Sequence, residues 1–281
     1  LTPRIDASNY IDTVLKIAKD NDVKAITTLI DPEIEILAKN RERFEENNII
    51  VLAPSKNTAS HCFDKYEMFC YLKENNIRTV LTYDSLEHFI EGYNNKEIDF
   101  PVFIKPRTGS GSVGIHKCTT MEELRSYFVE AKFDYIIQEF MDCEDCDADV
   151  YIDCYSHKPV AAFSKRKLET KIGGASKTIS FKDQKLFDFI EDICQVLEFN
   201  GPVDMDFWYK DGQYYLSEVN PRFGGAYLHA YGAGVDFFKL IQNNMNGITN
   251  KSIIGEYNED ILMMMYDGVV IINKDELVDL D

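Results

Sequence analysis

Apolar residues recur along this chain at two spacings, and the two alternate. In "DASNYIDTVLKIAKDN" they stand at Ile11, Val14, Leu15 and Ala18, the period of a helix, with Ser8 or Asn9 placed to cap it. "VKAITTLI" follows as a β-branched strand. Asp31-Pro32 reads as N-cap and N1 of a helix through "EIEILAKNRERF", and "IIVLA" is the next strand. Strand, helix, strand predicts a parallel sheet with helices on its faces.

From Ser60 the pattern predicts a helix, "HCFDKYEMFCYLKEN", a strand "TVLTY" and a helix "SLEHFIEGY". A strand "FPVFIK", a glycine stretch and a short strand "IHKC" come next, then helix "MEELRSYFVEA", which Thr119 or Thr120 can cap, and strand "YIIQEF". Longer strands, "DADVYIDCYS" and "PVAAFSKRKL", lead to helix "QKLFDFIEDICQVLEF" and to two strands, "PVDMDFWY" and "QYYLSEVN", joined by a turn at Asp211-Gly212. The chain closes with helix "VDFFKLIQNNM" and strands "ILMMMY" and "GVVIIN". The reading is α/β at the start and α+β afterwards, divided at 1–58, 59–138 and 139–281.

Composition changes this picture in three ways. At 281 residues and 45% apolar the chain suits two or three compact units. A net charge of −18 repels phosphate backbones, which argues against nucleic acid and makes any nucleotide depend on a local cationic patch. No run reaches eighteen apolar residues, so no membrane helix is expected. There is no signal-peptide pattern, and the seven cysteines read as reduced thiols, giving a cytoplasmic expectation. The chain opens at "LTPRIDASNY", without Met, which raises the expectation of a segment before Leu1.

Two stretches carry candidate chemistry. "FPVFIKPRTGSGSVGI" spells G-x-G-x-x-G at Gly109, Gly111 and Gly114. A dinucleotide turn would need a helix at the third glycine, but "GIHKC" follows as a strand. A kinase loop would need its lysine downstream, with H-R-D and D-F-G beyond, and these are absent. Two readings remain: a glycine flap over a nucleotide, with Lys105 at the end of the entering strand, or an ordinary flexible hairpin. The second stretch, "VDMDFWYKDGQYYLSEVNPRFGG", puts Asp204 and Asp206 on one face of a strand and Glu218 and Asn220 on one face of the next. Asp206, Glu218 and Asn220 are hard oxygen ligands suited to Mg²⁺, and the fork of Arg222 suits a phosphate or carboxylate. The bland alternative is a solvated polar sheet face.

The order of Lys65, "FIKPRTGSGSVGI", "IIQEFMDCEDCDADV" and "DMDFWY…YLSEVNPRFGG" resembles the ATP-grasp superfamily, most of all its carbamoyl-phosphate-synthase large-subunit branch, over nearly the whole chain. The resemblance implies a partial Rossmann-like domain before a two-subdomain ATP-grasp fold: a lid over 59–138 and a C-terminal subdomain with the metal site over 139–281. It implies ATP and Mg²⁺, two ions, with Mn²⁺ as an alternative. It assigns ATP contacts to Lys65, Lys105, the flap Gly109, Ser110, Gly111, Ser112, Val113 and Gly114, the adenine hinge Glu139, Phe140 and Met141, and Asp145 (or Glu144) on the ribose. Metal contacts fall to Asp206, Glu218 and Asn220, and the catalytic pair is Arg222 and Lys105. The implied reaction is ATP-dependent joining of a small-molecule carboxylate to an amine through an acylphosphate; paired chains are common among such relatives, so a homodimer is one expectation and oligomeric state stays open. In the basic run "SKRKLETK", Arg166 and Lys171 are the candidate substrate contacts, Arg166 toward ATP.

Other readings stay open beside it. A non-catalytic ATP-binding sensor or scaffold would show the same nucleotide motifs. "CEDC", Cys143 to Cys146, has the spacing of a zinc or redox pair, but no second ligand pair accompanies it and acids flank it. His229, Tyr227 and Tyr231 read as packing residues near the acceptor side.

Overall fold

The computed structural model describes residues 2–109, 113–130, 133–171 and 174–273. The N-terminal unit holds α1 (Tyr10–Asp20), β1 (Ala25–Ile26), α2 (Asp31–Lys39), α3 (Arg41–Glu45) and β2 (Ile50–Val51). β1 and β2 pair in parallel, Ala25 opposite Ile50, as strand–helix–strand patterning requires. Among the described residues this sheet has two strands of two residues each, short of a Rossmann sheet. Its core packs Ile11 and Ala18 of α1 against Leu37, Phe44 and Val51.

The predicted helix from Ser60 is two helices, α4 (Lys56–Phe63) and α5 (Lys65–Glu74). Asp64 breaks it: its extended backbone ends α4, and its carboxylate accepts from the N–H groups of Tyr66 and Glu67 to cap α5. The elements of the segment expected to be the lid follow: β3 (Thr82–Tyr83), α6 (Leu86–Asn94), β4 (Val102–Pro106), β5 (His116–Cys118), α7 (Met121–Glu130) and β6 (Tyr135–Glu139). They form a four-stranded antiparallel sheet in the order β3-β6-β4-β5. Thr120 and Glu123 build a capping box with Thr119 at the start of α7.

The remainder is β7 (Glu144–Ile152), β8 (Pro159–Lys171), β9 (Gly174–Phe181), α8 (Gln184–Val196), β10 (Gly201–Lys210), β11 (Gln213–Asn220), α9 (Leu228–Gly232), α10 (Phe237–Met245) and β12 (Leu262–Met264). Six strands make an antiparallel sheet ordered β11-β10-β7-β8-β9-β12. The β10–β11 turn has Asp211 at φ 51° and Gly212 at φ 79°, the two left-handed residues of a tight hairpin. One sheet face is apolar: Cys146, Ala148, Val150, Met205 and Phe207 pack with Leu186, Ile190 and Ile193 of α8. Met68 and Leu72 of α5 join that core, so α5 packs on the large sheet. "GVVIIN" is not a strand: residues 268–273 are irregular and exposed, and among the described residues no strand pairs with them.

Candidate active site

The other face of the large sheet is polar, and register builds it. Asp206 pairs with Glu218 on β11 and with Asp147 on β7; Asp204 pairs with Asn220 and with Asp149. Lys165 on β8 pairs with Asp147, and Asp145 pairs with Trp208. Since paired residues share a face, Glu218, Asp204, Asp206, Asp145, Asp147 and Asp149 stand together with Lys165 and Lys167. Carboxylates outnumber ammonium groups on this face.

The electrostatics follow from that excess. Lys165 is fully buried; its Nζ donates to Asp149 and lies 2.7 Å from Asp147 Oδ1, a charge contact outside the hydrogen-bonding direction. Burial opposes its charge, but Asp147 and Asp149 more than offset this and raise its pKa. Lys167 bridges Asp206 and, at 3.0 Å, Asp145. Burial pushes the Asp147 carboxyl up to about 6 against the pull of Lys165. Burial, then the charge of Asp206, pushes Asp204 well above the usual carboxylate range. A face with this surplus of oxygen donors and negative charge fits a divalent cation. Among the described residues no three His, Cys, Asp or Glu side chains close into a complete metal cage; Mg²⁺ in general takes one or two carboxylates and completes its shell with phosphate and water.

Above the face lies a cavity of about 830 Å³, roofed by the lid. The sequence-predicted residues Lys65, Lys105, Gly109, Val113, Asp206, Glu218, Asn220 and Arg222 all line it. β4 and β5 pair antiparallel on either side of the glycine stretch, Val102 opposite Cys118, so the stretch joins two strands. Its first residues are tied to α5: Arg107 Nε donates to Asp64 at 2.8 Å, and Lys65 Nζ donates to the Gly109 carbonyl at 2.5 Å and sits 3.6 Å from Glu218. Gly109 has φ 107° and Gly114 φ 75°, conformations that favour glycine. Ser110, Gly111 and Ser112 lie outside the described residues. Lys105 Nζ donates to Gln138 Oε1 at 2.6 Å. Burial lowers the Lys105 pKa, with Lys65 adding to this and Glu218 opposing it.

Arg222 is held by three groups. Nε donates to Asp31 of α2 at 2.5 Å, Nη1 to the Phe223 carbonyl at 3.0 Å and Nη2 to Asn220 Oδ1 at 3.4 Å. The residue read as the cap of α2 is thus its first helical residue, with Ile30 at the N-cap, and its carboxylate is directed at Arg222. Gly224, two residues on, brings backbone so near the acids that an added Cβ would lie 2.8 Å from both Asp149 Oδ1 and Asp204 Oδ1.

Several predicted residues lie elsewhere. Arg166 is on the opposite face of β8, over the Phe181 ring at 4.1 Å and bonded to Glu144 at 2.8 Å, because strand alternation turns it away when Lys165 and Lys167 face in. Glu139, Phe140 and Met141 are outside the cavity wall: Glu139 accepts from Lys210 at 2.9 Å, Phe140 lies under Lys117 at 3.6 Å, and Met141 is buried. Asp145 reaches the site through Lys167, and Lys171 lines the rim while pairing with Asp267. Cys146 faces the core, where burial pushes its thiol up. His229 is buried between the Thr178 hydroxyl, at 2.7 Å, and the Ile261 carbonyl. Tyr227 is buried as read, but Tyr231 is half exposed. Sequence reasoning missed Lys167, Asp147 and Asp31. Period-two alternation with Lys165 was the available signal for Lys167; Asp31 had none beyond its place at a helix start.

A family described as "ATP-grasp domain" matches residues 62–226, and one described as "PylC-like, N-terminal domain" matches residues 1–52. D-alanine--D-alanine ligase B of Clostridium perfringens is 28% identical over 216 residues, 70% of this chain and 71% of that protein. The biotin carboxylase domain of Hydrogenobacter thermophilus 2-oxoglutarate carboxylase, a dimer in complex with MgADP, ADP and bicarbonate, is similar at a TM-score of 0.72 and 17% identity, with 92% of this chain and 62% of that chain covered. The L-amino acid ligase from Bacillus licheniformis is similar at a TM-score of 0.65 and 16% identity, with 89% and 63% covered. The chain therefore spans less than two thirds of either solved chain, and those two likenesses are of fold.

Proposed function

This chain belongs to the ATP-grasp family, and from that premise we propose that it is an ATP-dependent ligase joining a small-molecule carboxylate to an amine. A carboxylate oxygen attacks the γ-phosphorus of ATP, the bond to the β–γ bridging oxygen breaks, and ADP leaves an acylphosphate behind. The amine then attacks the acyl carbon, loses a proton and expels phosphate. The relatives named D-alanine--D-alanine ligase and L-amino acid ligase support this class of reaction.

The observation that carries the reading is the meeting, in one cavity, of Lys65 and Lys105 under the lid with Asp206, Glu218, Asn220 and Arg222 on the sheet. Phosphoryl transfer asks a protein mainly to position reactants and to neutralise charge on the equatorial oxygens. Lys65, already at the base of the flap, and Lys105 serve the phosphates. The flap N–H groups from Gly109 to Gly114 approach the same oxygens. The hinge backbone from Glu139 to Met141, outside the wall of the cavity itself but next to Gln138 on which Lys105 is held, would read adenine beyond the cavity's edge, and Asp145 would take the ribose hydroxyls. Asp206, Glu218 and Asn220 would hold Mg²⁺, two ions, with Mn²⁺ as a substitute; when bound, the metal would neutralise phosphate charge. Arg222 steadies the transferred phosphoryl group, and the closed lid keeps water from the acylphosphate. The acids Asp206 and Glu218 favour catalysis over a sensor role, since a pure binder could lose them.

The test is ADP release by the protein with Mg·ATP against a matrix of amino acids and other carboxylates crossed with amines. Release that requires one particular pair establishes the ligase and names its substrates. Tight Mg·ATP binding with no pair-dependent release across the matrix turns the reading toward the sensor.

A further inference from the structure

Arg222 is one of the side chains through which the large sheet meets the N-terminal unit, as Asn200 does at Val51. A guanidinium has five N–H donors in a rigid fork. Three are engaged: Nε by Asp31, Nη1 by the Phe223 carbonyl and Nη2 by Asn220. By that count one donor is left on each Nη to receive phosphoryl oxygens. Asp31 holds Nε. The pair is largely shielded, with side-chain exposures of 18% for Arg222 and 25% for Asp31. Asp31 is itself placed by α2, whose Ile34 and Ala38 bury against Ala59 of α4, and by the turn in which the Thr28 hydroxyl accepts from Ile30 N–H at 3.0 Å.

We infer that Asp31 is a positioning residue: acting through Arg222, it aims the remaining Nη donors at the transferred phosphoryl group and makes the N-terminal unit part of the active site. The inference rests on the ligase reading, from which the task of Arg222 is taken. Two effects oppose each other. The Asp31 carboxylate offsets part of the Arg222 charge, which weakens attraction for a phosphate. It also removes the rotamer freedom of a long side chain, and a misplacement of about 1 Å costs on the order of 10²-fold. Orientation wins here because Asp31 occupies Nε and does not compete for the two remaining donors.

The test is calorimetric binding of MgADP, alone and with aluminium fluoride as the mimic of the transferred phosphoryl group, to the full chain. Wild type, Asp31→Asn, Arg222→Gln and the double variant are compared. Asp31→Asn is expected to bind MgADP within about two-fold of wild type and to lose about ten-fold or more in the fluoroaluminate complex. If Asp31 acts through that side chain, the double variant should lose no more than Arg222→Gln alone. Fluoroaluminate affinity kept or increased in Asp31→Asn overturns the inference, as does an additive loss in the double variant, while MgADP binding by wild type leaves the ligase reading standing. Absence of MgADP binding by wild type removes that reading, and this inference with it. If Asp31→Asn folds poorly by circular dichroism, Asp31→Ser replaces it, because serine suits a helix start and still removes the charge.

Discussion

Glu218 stands opposite Asp206 across the β10–β11 ladder and within 3.6 Å of Lys65. Replacing it with Gln keeps size and polarity but removes the charge a divalent ion needs. Glu218→Gln is expected to lower ATP turnover by at least about 10²-fold with its circular dichroism and melting unchanged; undiminished turnover would refute the metal assignment. At His229 the consequence is in pH. Burial lowers its pKa below 6.5, so the folded state keeps it neutral while the unfolded chain takes up a proton as the solution acidifies. The unfolded state then binds more protons, and stability falls as pH drops through 6.5. The melting temperature of His229→Gln, whose amide can serve both Thr178 and Ile261, should fall less than that of wild type between pH 7.5 and 5.5; parallel curves would show that His229 does not contribute. Residue types were legible from sequence at both positions. Their surroundings were not, because which partner a side chain meets depends on strands far away in the chain.

At the scale of elements, alternation did most of the work. Hydrophobic period two along β7, β8, β10 and β11 sorts acids and lysines onto one face and the α8 contacts onto the other, and both were readable from the strands. The choice of Arg166 over Lys167 failed because alternation leaves open which face looks into the cavity; the lid settles that. The split at Asp64 was missed because helical periodicity continues across it, and only the pairing of Asp64 with Thr108 and Arg107 holds it extended. Gly201 shows the same dependence. It opens β10 at φ 84°, and a Cβ there would lie 2.9 Å from Leu52 Cβ and 3.3 Å from its backbone Cα. Gly201→Ala is expected to destabilise the protein by about 1–3 kcal/mol, read as a lowered urea midpoint at unchanged slope; an unchanged midpoint would mean that the contact between Leu52 and β10 yields freely.

At the scale of the molecule, a nucleotide that touches both the lid and the large sheet should stabilise them together. Mg·ATP at a hundred times its dissociation constant is expected to add about 2.7 kcal/mol, seen as a rise of several degrees in a single melting transition; a shift confined to one of two separate transitions would mean that lid and sheet do not share the ligand. By itself the sequence determined the family, the glycine stretch between two strands, the β10–β11 hairpin and the residue types that line the cavity. Those follow from local spacing, turn chemistry and motif order. Tertiary structure alone decided that Asp31, 191 residues before Arg222, grips its guanidinium, that Lys167 bridges Asp145 and Asp206, and that Lys165 is buried among acids. Such pairings are fixed by sheet register and by the packing of α2 and α4, and no periodicity within one segment encodes which distant segment will lie beside it.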